Sequence, residues 1–310
     1  LHKAIRRQRQ MCIRDRFGVD SHNTTYRGYS SIELNNISMP NGWAEYQNWN
    51  TFYWQEETYL TYNKVFGDHR LNAMAGLSWQ ERTQRWDKSY TQGFSDDFYE
   101  NNNMSVGTLP NAPESSWTRW AMNSYFLRFA YTYKDRYLVT ATLRADGASN
   151  FAKNNRWGYF PSVALGWRFT EENFARSLNL DKVLSNGKLR LSYGQTGNSN
   201  IGDKSVTYYG TGYNKVFGNK EYTGVYVSQI GNPDLKWETT TEWNVGLDLG
   251  FLNNRFNVTA EYFHKVVSDL LSSRSVLSYN EVGSIAANIG KTQSLSLIHI
   301  SEPTRPRLIS

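Results

Sequence analysis

The 310-residue sequence contains a single cysteine, and no run of 18 apolar residues occurs in it. One cysteine excludes both a disulfide-stabilised scaffold and a zinc cluster built from cysteine ligands. The lack of a long apolar run excludes a bundle of membrane-spanning helices. Only 39% of the residues are hydrophobic, but the length is ample for a folded core, so extensive disorder is not expected.

Side chains that carry catalysis or bind metals are also scarce. Residues 17–294 contain three histidines, His22, His69 and His264, which are far apart in the sequence and lack metal-ligand spacing. Acidic pairs occur at residues 56–57 and 96–97, but a glycosidase needs two carboxylates that converge from separate elements. We therefore predict that the protein is not an enzyme and has no catalytic residue, metal site or cofactor.

The net charge of +6 results from 34 Lys and Arg against 28 Asp and Glu, and such a balance would point to nucleic acid or an anionic membrane. The excess lies entirely at the two ends. Residues 1–16 and 295–310 hold eight of the basic and two of the acidic residues, so residues 17–294 hold 26 of each and carry no net charge. We therefore predict no nucleic-acid partner.

The two ends are related to one another at the level of DNA. Residues 11–16 (MCIRDR) can be encoded by a DNA whose reverse complement, read in frame, encodes LSLIHI, the sequence of residues 295–300. A transposase-type sequencing adapter read through at both ends of a DNA fragment gives such a match. We expect residues 1–16 and 295–310 to be adapter-derived and residues 17–294 to be native. The alternative is a basic N-terminal arm, which no signal-peptide apolar segment follows.

Alternation of apolar and polar residues with period two dominates the sequence between the ends. In one segment Tyr125, Leu127 and Phe129 fall on one face of a strand, and Ser124 and Arg128 fall on the other. The pattern recurs in segments of ten to fourteen residues. Together these segments predict about eight strands, paired as four antiparallel hairpins.

The predicted connections between strands are of two kinds. The short ones are residues 66–69, 134–135 and 252–255, and the long polar ones are residues 82–122, 147–156 and 198–236. Residues 171–185 are an exception on the short side, where Phe174, Leu178 and Leu180 predict one short helical turn. Short turns at one end and long loops at the other are typical of transmembrane β-barrels, whose long loops face outside.

A soluble antiparallel sandwich also alternates, so two further features decide the fold class. The strands are ten or more residues long, where soluble strands average about five or six. Aromatic residues make up 15% of the chain and gather near strand ends, as they do in the girdles of membrane barrels. We predict an all-β fold: about eight strands of a larger antiparallel transmembrane β-barrel with long extracellular loops. Five charged residues then face a wet lumen, although in a sandwich they would face solvent: Arg128, Arg144, Arg168, Arg190 and Glu242.

Several longer strings carry a family resemblance. Residues 232–240 (NPDLKWETT) followed by residues 244–248 (NVGLD) closely resemble the SusC/RagA family of TonB-linked outer-membrane proteins. In the same order as in that family come RADGASNF at 144–151, FPSVALGW at 160–167, KLRLSYGQTGN at 188–198 and NIGKTQ at 288–293. The resemblance covers most of residues 17–293.

The resemblance implies a barrel of roughly 22 strands in the outer membrane of a Gram-negative cell, with an N-terminal plug domain. It implies import of oligosaccharides or peptides, a SusD-like surface lipoprotein as lid, and energy supplied by TonB. The plug, the TonB box and the last barrel strands lie outside this fragment. The alternative function, from another class, is a soluble surface-exposed β module that binds carbohydrate.

Aromatic residues in the predicted outer loops are the candidates for contact with a ligand or a lid protein, because flat rings stack on sugar faces. The alternative role is to hold the long loops together. These residues are Tyr90, Phe94, Phe98, Tyr99, Tyr208, Tyr209, Tyr213, Tyr222 and Tyr226.

Overall fold

The computed structural model describes residues 11–34, 41–177, 183–277 and 282–303, without the side chains of Arg176, Tyr213 and residues 301–303. Long antiparallel strands dominate, as the alternation predicts. The strands are β1 (Met11–Ser30), β2 (Trp43–Phe66), β3 (His69–Gln92), β4 (Leu109–Pro110), β5 (Glu114–Tyr133), β6 (Tyr137–Ala148), β7 (Trp157–Trp167), β8 (Leu184–Asn198), β9 (Tyr208–Phe217), β10 (Lys220–Gln229), β11 (Glu238–Phe251), β12 (Phe256–Ser268), β13 (Leu271–Ser275), β14 (Ser284–Asn288) and β15 (Lys291–Pro303).

Helical structure is limited to short segments. Helix α1 spans Asn173–Ser177, and single 3-10 turns span Ile32–Leu34, Glu100–Asn102, Met104–Val106 and Phe169–Glu171. Helix α1 includes Phe174 of the predicted helical turn, whereas Leu178 and Leu180 lie outside the described residues. Among the residues that the structure describes, no helix has the length and apolar character needed to cross a bilayer.

Ten strands follow one another in the main sheet, in the order β1-β2-β3-β5-β6-β7-β8-β11-β12-β15, and β4 pairs with the end of β3. About eight strands is therefore an undercount for the described part of the chain. Strand β1 escapes the alternation criterion because polar and charged residues dominate it. Most of β15 lies beyond residue 294, in the segment expected to be adapter-derived.

The two ends of the sequence are partly described. Residues 11–16 begin β1 and residues 295–303 end β15, whereas residues 1–10 and 304–310 lie outside the described ranges. On β15 the alternation places Leu295 and Leu297 opposite His264 and Tyr262, and then places Ile298 opposite Glu261 on the other face. The adapter origin of both ends, and the boundaries at residues 16 and 295, stay predictions.

The chain divides into two compact units. The larger comprises residues 1–15, 58–78 and 123–310, and the smaller comprises residues 16–57 and 79–122. The larger unit contains residues 11–15 of β1, the ends of β2 and β3 next to their common turn, and the strands from residue 123 of β5 through β15. The smaller contains β4 and the remaining parts of β1, β2, β3 and β5. Each unit is described separately below.

Tight turns close the hairpins at one end of the larger unit. Gly67 at the β2–β3 turn has φ 56°, and Asn253 and Asn254 at the β11–β12 turn have φ 57° and 60°. These angles are left-handed, and asparagine and glycine tolerate them better than most residues do. We call this the short-turn end.

The opposite end of each strand leads into long connections, and their bounds differ from the predicted ones. The predicted loop at residues 82–122 shrinks to residues 93–113, because β3 continues to Gln92 and β5 begins at Glu114. The predicted loop at residues 198–236 contains a separate two-stranded sheet, β9–β10. The connection between β12 and β15 likewise holds β13–β14. We call the end of the larger unit that carries the β9–β10 and β13–β14 hairpins the loop end.

One face of the sheet in the larger unit consists of apolar side chains that no other described element covers. The register aligns Val139, Leu165, Leu191, Val245 and Tyr262 in one row across β6, β7, β8, β11 and β12. The last four side chains are 42–45% exposed. In a soluble sandwich a second sheet would cover such a face. The exposed row instead fits a wall that faces lipid.

Candidate functional site

The opposite face of the same sheet is polar and corresponds to the predicted lumen. Glu242 lies here, aligned with Gly194 of β8 and Lys265 of β12. Beside Glu242, small hydroxyl side chains of neighbouring strands border a shallow depression of about 320 Å³, among them Thr140, Ser162 and Ser192.

Arg190 forms the centre of a charged group on this face. Its Nε and Nη2 donate to the two carboxylate oxygens of Asp248 at 2.8 and 3.0 Å, and its Nη1 donates to Glu261 Oε1 at 3.3 Å. The register sets Gly246 directly beside Arg190, where a Cβ would lie 2.8 Å from Nη2. Glycine at this position therefore gives the guanidinium the space to lie across the strand between its two partners.

Arg144 and Arg128 share that face, Arg144 near the loop end of β6 and Arg128 nearer to the short-turn end of β5. The Nε of Arg144 lies 2.8 Å from both carboxylate oxygens of Asp146, and its Nη2 donates to Ser124 Oγ at 3.1 Å. Alternation along β5 places Arg128 on the same side as Ser124. Arg168 differs from the others, because it follows the last residue of β7 at the short-turn end, where its N–H donates to Arg136 O. The lumen assignment of these residues and of Arg190 and Glu242 stays a prediction.

A buried aromatic cluster closes the loop end of the larger unit. The Trp237 ring packs against Phe151 and Phe160 with centroid distances of 5.5 and 5.4 Å, and its Nε1 donates to Arg156 O at 3.0 Å. Leu235 beside it is fully buried. We call Phe151, Phe160, Leu235 and Trp237 the loop-base core. These residues come from three of the sequence motifs that carry the family resemblance. Those motifs therefore hold the loops together in this structure.

Asparagine side chains connect the loops that surround this core. Asn150 donates to Ser199 O at 2.6 Å, and Asn232 donates to Ala286 O at 2.9 Å. Asn288 accepts from Lys236 N at 2.9 Å and donates to Lys236 O at 2.8 Å. These bonds tie three separate connections to one another. The role of Asn288 escapes sequence reasoning, because nothing in its local pattern indicates a partner 52 residues away.

In the smaller unit a carboxylate organises the loop at residues 93–113, which contains three of the candidate aromatics. Asp97 accepts hydrogen bonds from Tyr29 Oη, from Ser31 Oγ at 2.7 Å and from Ile32 N at 3.0 Å. These bonds, that from Tyr29 above all, hold the pKa of the Asp97 carboxyl below its ordinary value. The loop is thereby fixed to the end of β1.

The four aromatic candidates of the smaller unit have different environments. Phe94 is 3% exposed and packs edge-on against Tyr29, and Tyr90 stacks on Trp43. Both placements favour the alternative role of holding the loop together. Phe98 is 82% exposed and lies in edge-to-face contact with the half-exposed ring of Tyr99. A ligand or lid contact in this unit is therefore proposed for Phe98 and Tyr99.

The other five candidates lie on the β9–β10 hairpin of the larger unit. Tyr208, Tyr209 and Tyr222 are exposed, whereas the Tyr226 ring lies over Gly210, where a Cβ would lie 2.7 Å from the ring. Tyr208 donates to Asp203, and this bond together with burial raises the pKa of Tyr208 to about 12. Tyr213 lies on β9, but its side chain is outside the described residues. None of these rings is shown to bind a ligand, and their role stays a prediction.

No described group resembles a metal centre. In residues 11–34, 41–177, 183–277 and 282–303, no three His, Cys, Asp or Glu side chains lie together in a way that would hold a metal ion.

Comparison with known proteins decides the family. Residues 9–295 match the model of the TonB dependent receptor-like β-barrel. The chain belongs to the TonB-dependent receptor family. It is 38% identical over 255 residues to TonB-dependent receptor P39 of Formosa agariphila, a match that covers 79% of this chain and 23% of P39. It is 37% identical over 251 residues to TonB-dependent receptor SusC of Bacteroides thetaiotaomicron, covering 77% of this chain and 24% of SusC.

A solved structure confirms the fold. The RagAB peptide transporter superposes with a TM-score of 0.84 at 23% identity, covering 97% of this chain and 33% of that one. The predicted fold class, the SusC/RagA resemblance and the outer-membrane location of this TonB-dependent receptor segment are confirmed. The chain spans about a quarter of the length of the curated relatives that it matches.

Proposed function

We propose that this segment forms part of the barrel wall of an outer-membrane importer for oligosaccharides or peptides. The observation that carries the proposal is the two-faced wall, with exposed apolar rows on one side and small polar groups on the other, in a chain 37% identical to SusC. Outer-membrane location and receptor family do not by themselves name a cargo. The polar lumen face supports a hydrophilic one.

The proposed partners are a SusD-like surface lipoprotein and TonB. Exposed rings in the connections of each unit, Phe98 and Tyr99 in the smaller and Tyr209 in the larger, support contact with a lid protein or with a sugar. TonB would act on an N-terminal region of the parent protein, outside the matched segment. RagAB is described as a peptide transporter, and that description alone does not favour peptides here, because the identity to it is only 23%.

Uptake by the source bacterium tests the proposal. Disruption of the parent gene is expected to abolish uptake of fluorescent oligosaccharides or of fluorescent peptides, one class and not both. Uptake of monosaccharides and free amino acids, which porins admit, serves as the matched control and stays unchanged. Retained uptake of both large cargoes in the disrupted strain would refute the importer.

A second experiment tests the lipoprotein partner separately. Affinity purification of the tagged parent protein in mild detergent is expected to retain a surface lipoprotein in equal amount. A double variant, Phe98→Ser with Tyr209→Ser, is expected to weaken that retention, whereas the double variant Leu165→Ser with Leu191→Ser on the lipid-facing wall serves as the control for a general loss of apolar surface. Absence of any lipoprotein would contradict the proposed lid protein but would not contradict the importer.

A further inference from the structure

We propose that the lipid-facing wall contains a binding site for one acyl chain of a phospholipid from the periplasmic leaflet. The site is an apolar groove of about 430 Å³ in the larger unit, bordered by side chains from β2, β3, β5, β6 and β7. It lies outside the lumen and the loops, so it does not depend on which cargo the protein carries. The side chains that shape it are Leu60, Ala75, Leu127, Ala141, Leu143 and Val163.

Small residues between larger ones create the groove. Ala73 and Ala75 of β3 and Ala141 of β6 form its floor, whereas Leu127 and Leu143 on neighbouring strands are about half exposed and rise beside it. Ala141 pairs with Val163 and Leu143 pairs with Pro161, which places all four on one face of the sheet. That face carries the exposed apolar row of Leu165 and its neighbours, so the groove opens towards the bilayer.

The groove lies at hydrocarbon depth, between two aromatic rows. Tyr137 pairs with Trp167 at the short-turn end, and Gly147 pairs with Trp157 ten residues further along. At roughly 3.4 Å per residue and a tilt of about 40°, these rows are about 26 Å apart, close to the apolar band of an outer-membrane barrel of about 25 Å. The Ala141–Val163 and Leu143–Pro161 pairs lie midway between them.

An aromatic border with two lysines lies below the groove at the short-turn end, where Lys134 Nζ also lies 4.0 Å from the Asp68 carboxylate. The rings of Phe66, His69 and Tyr133 form a continuous stack with centroid distances of 4.8 Å at each step. The Nζ of Lys64 lies 6.0 Å from the centre of the Phe66 ring, and the Nζ of Lys134 lies 5.3 Å from that of Tyr133. Ammonium groups held over aromatic rings at the interface are suited to a lipid phosphate.

The position of this border indicates which leaflet of the membrane supplies the lipid. The short turns of such barrels face the periplasm, so a phosphate at Lys64 and Lys134 belongs to a lipid of the periplasmic leaflet. From the Tyr137 row to the groove is four to six residues, or about 10 to 16 Å along the barrel axis by the same rise and tilt. Half of the apolar band of such a barrel is about 12–13 Å. An acyl chain anchored at the lysines therefore ends in the groove.

Native mass spectrometry of the intact parent protein tests this lipid-binding site, with dipalmitoyl phosphatidylethanolamine as the probe. The wild type is expected to retain one lipid through detergent exchange. Ala141→Leu and Ala75→Leu fill the groove and are expected to lower that occupancy about tenfold, as displacement of roughly two buried methylenes would. Ala260→Leu serves as the matched control, because Ala260 pairs with Leu247 on the same face outside the groove, and it is expected to leave retention unchanged.

The headgroup end is tested by the double variant Lys64→Gln with Lys134→Gln, which is expected to lower retention about threefold while the groove stays open. Equal retention in wild type, Ala141→Leu and Ala75→Leu would overturn the proposal. So would preferential retention of lipid A when the wild type is offered both lipids, a competition that needs no variant to fold. Loss of a dimer on size exclusion in Ala141→Leu would identify a second copy as the occupant and would also overturn it.

Discussion

Large apolar side chains are exposed on the barrel wall and buried in the loop-base core, although both belong to the larger unit. On the wall, Leu191 and Trp243 are exposed, and at the loop base Leu235 and Trp237 are buried. In the proposed barrel the wall can leave such groups uncovered because lipid would cover them, whereas the loop end would extend into water and needs a core of its own. In that barrel the chain passes from water to lipid within a few residues, between Trp237 and Trp243.

The largest effect is expected for the two tryptophans on either side of that boundary. Trp237→Ala empties the space between Phe151 and Phe160 and is expected to destabilise the loop base by about 3–5 kcal/mol. Trp243→Ala is the matched control, and because its ring is 56% exposed on the lipid face it is expected to have a much smaller effect. Protease cleavage of the loops at residues 149–156 and 199–237 measures the difference in the intact parent protein.

Both variants are expected to keep the shift in gel mobility on heating that a folded barrel shows, because neither disrupts the strand pairing. Equal protease sensitivity in the two variants would contradict the comparison. It would mean that Trp237 is no more important for the loops than a residue on the wall.

The second effect tests whether the wall faces lipid. Leu191→Arg places a charge in the exposed apolar row and is expected to cost about 2–4 kcal/mol at the bilayer midplane. Ser192→Arg, one residue further along and on the opposite face, is expected to be tolerated because the lumen is wet. Urea unfolding in lipid vesicles measures both. A larger cost for Ser192→Arg than for Leu191→Arg would mean that the face of Ser192, and not that of Leu191, is in contact with lipid.

The wall could be predicted from the sequence and the loop base could not. The alternation of Tyr125, Leu127 and Phe129 is a local signal, since successive side chains of a strand point to opposite faces whatever the partner strand is. The register between Leu165 and Leu191 adds long-range pairing without changing either face.

The loop base depends on contacts between distant segments, such as Trp237 Nε1 with Arg156 O. No periodicity encodes those contacts, and a Trp within a polar loop is compatible with a ligand platform as well as with a core. Phe94 shows the same limit, because its burial follows from packing against Tyr29, which lies 65 positions earlier.

The third effect concerns polar bonds between loops. Asn288→Ala removes the acceptor for Lys236 N and the donor for Lys236 O and is expected to destabilise the loop end by about 1–3 kcal/mol, because backbone groups lose their partners. Asn244→Ala, on the polar face of β11, is the control with the same chemical change. Hydrogen exchange at residues 232–238 reports the loss, and unchanged protection there would contradict the role of Asn288.

The smallest effect is a dependence on pH at the loop of the smaller unit. Hydrogen bonds from Tyr29, Ser31 and Ile32 lower the pKa of Asp97, so the folded state favours the carboxylate. For a lowered pKa, the stabilisation is fully present above the ordinary value, 3.8, and is lost as the pH falls through the lower pKa of the folded state. Hydrogen exchange of residues 93–113 is therefore expected to accelerate below about pH 4.

Asp97→Asn is expected to abolish that dependence, because the amide does not titrate, and to raise exchange modestly at neutral pH, because an amide oxygen is a weaker acceptor than a carboxylate. Asp96→Asn is the control, since the Asp96 carboxylate accepts from Phe98 N two residues away and does not join the loop to β1. A pH dependence that persists in Asp97→Asn would place the titrating group elsewhere. In that case the loop of the smaller unit would be held as the loop base is, by the packing of Phe94 against Tyr29 rather than by charge.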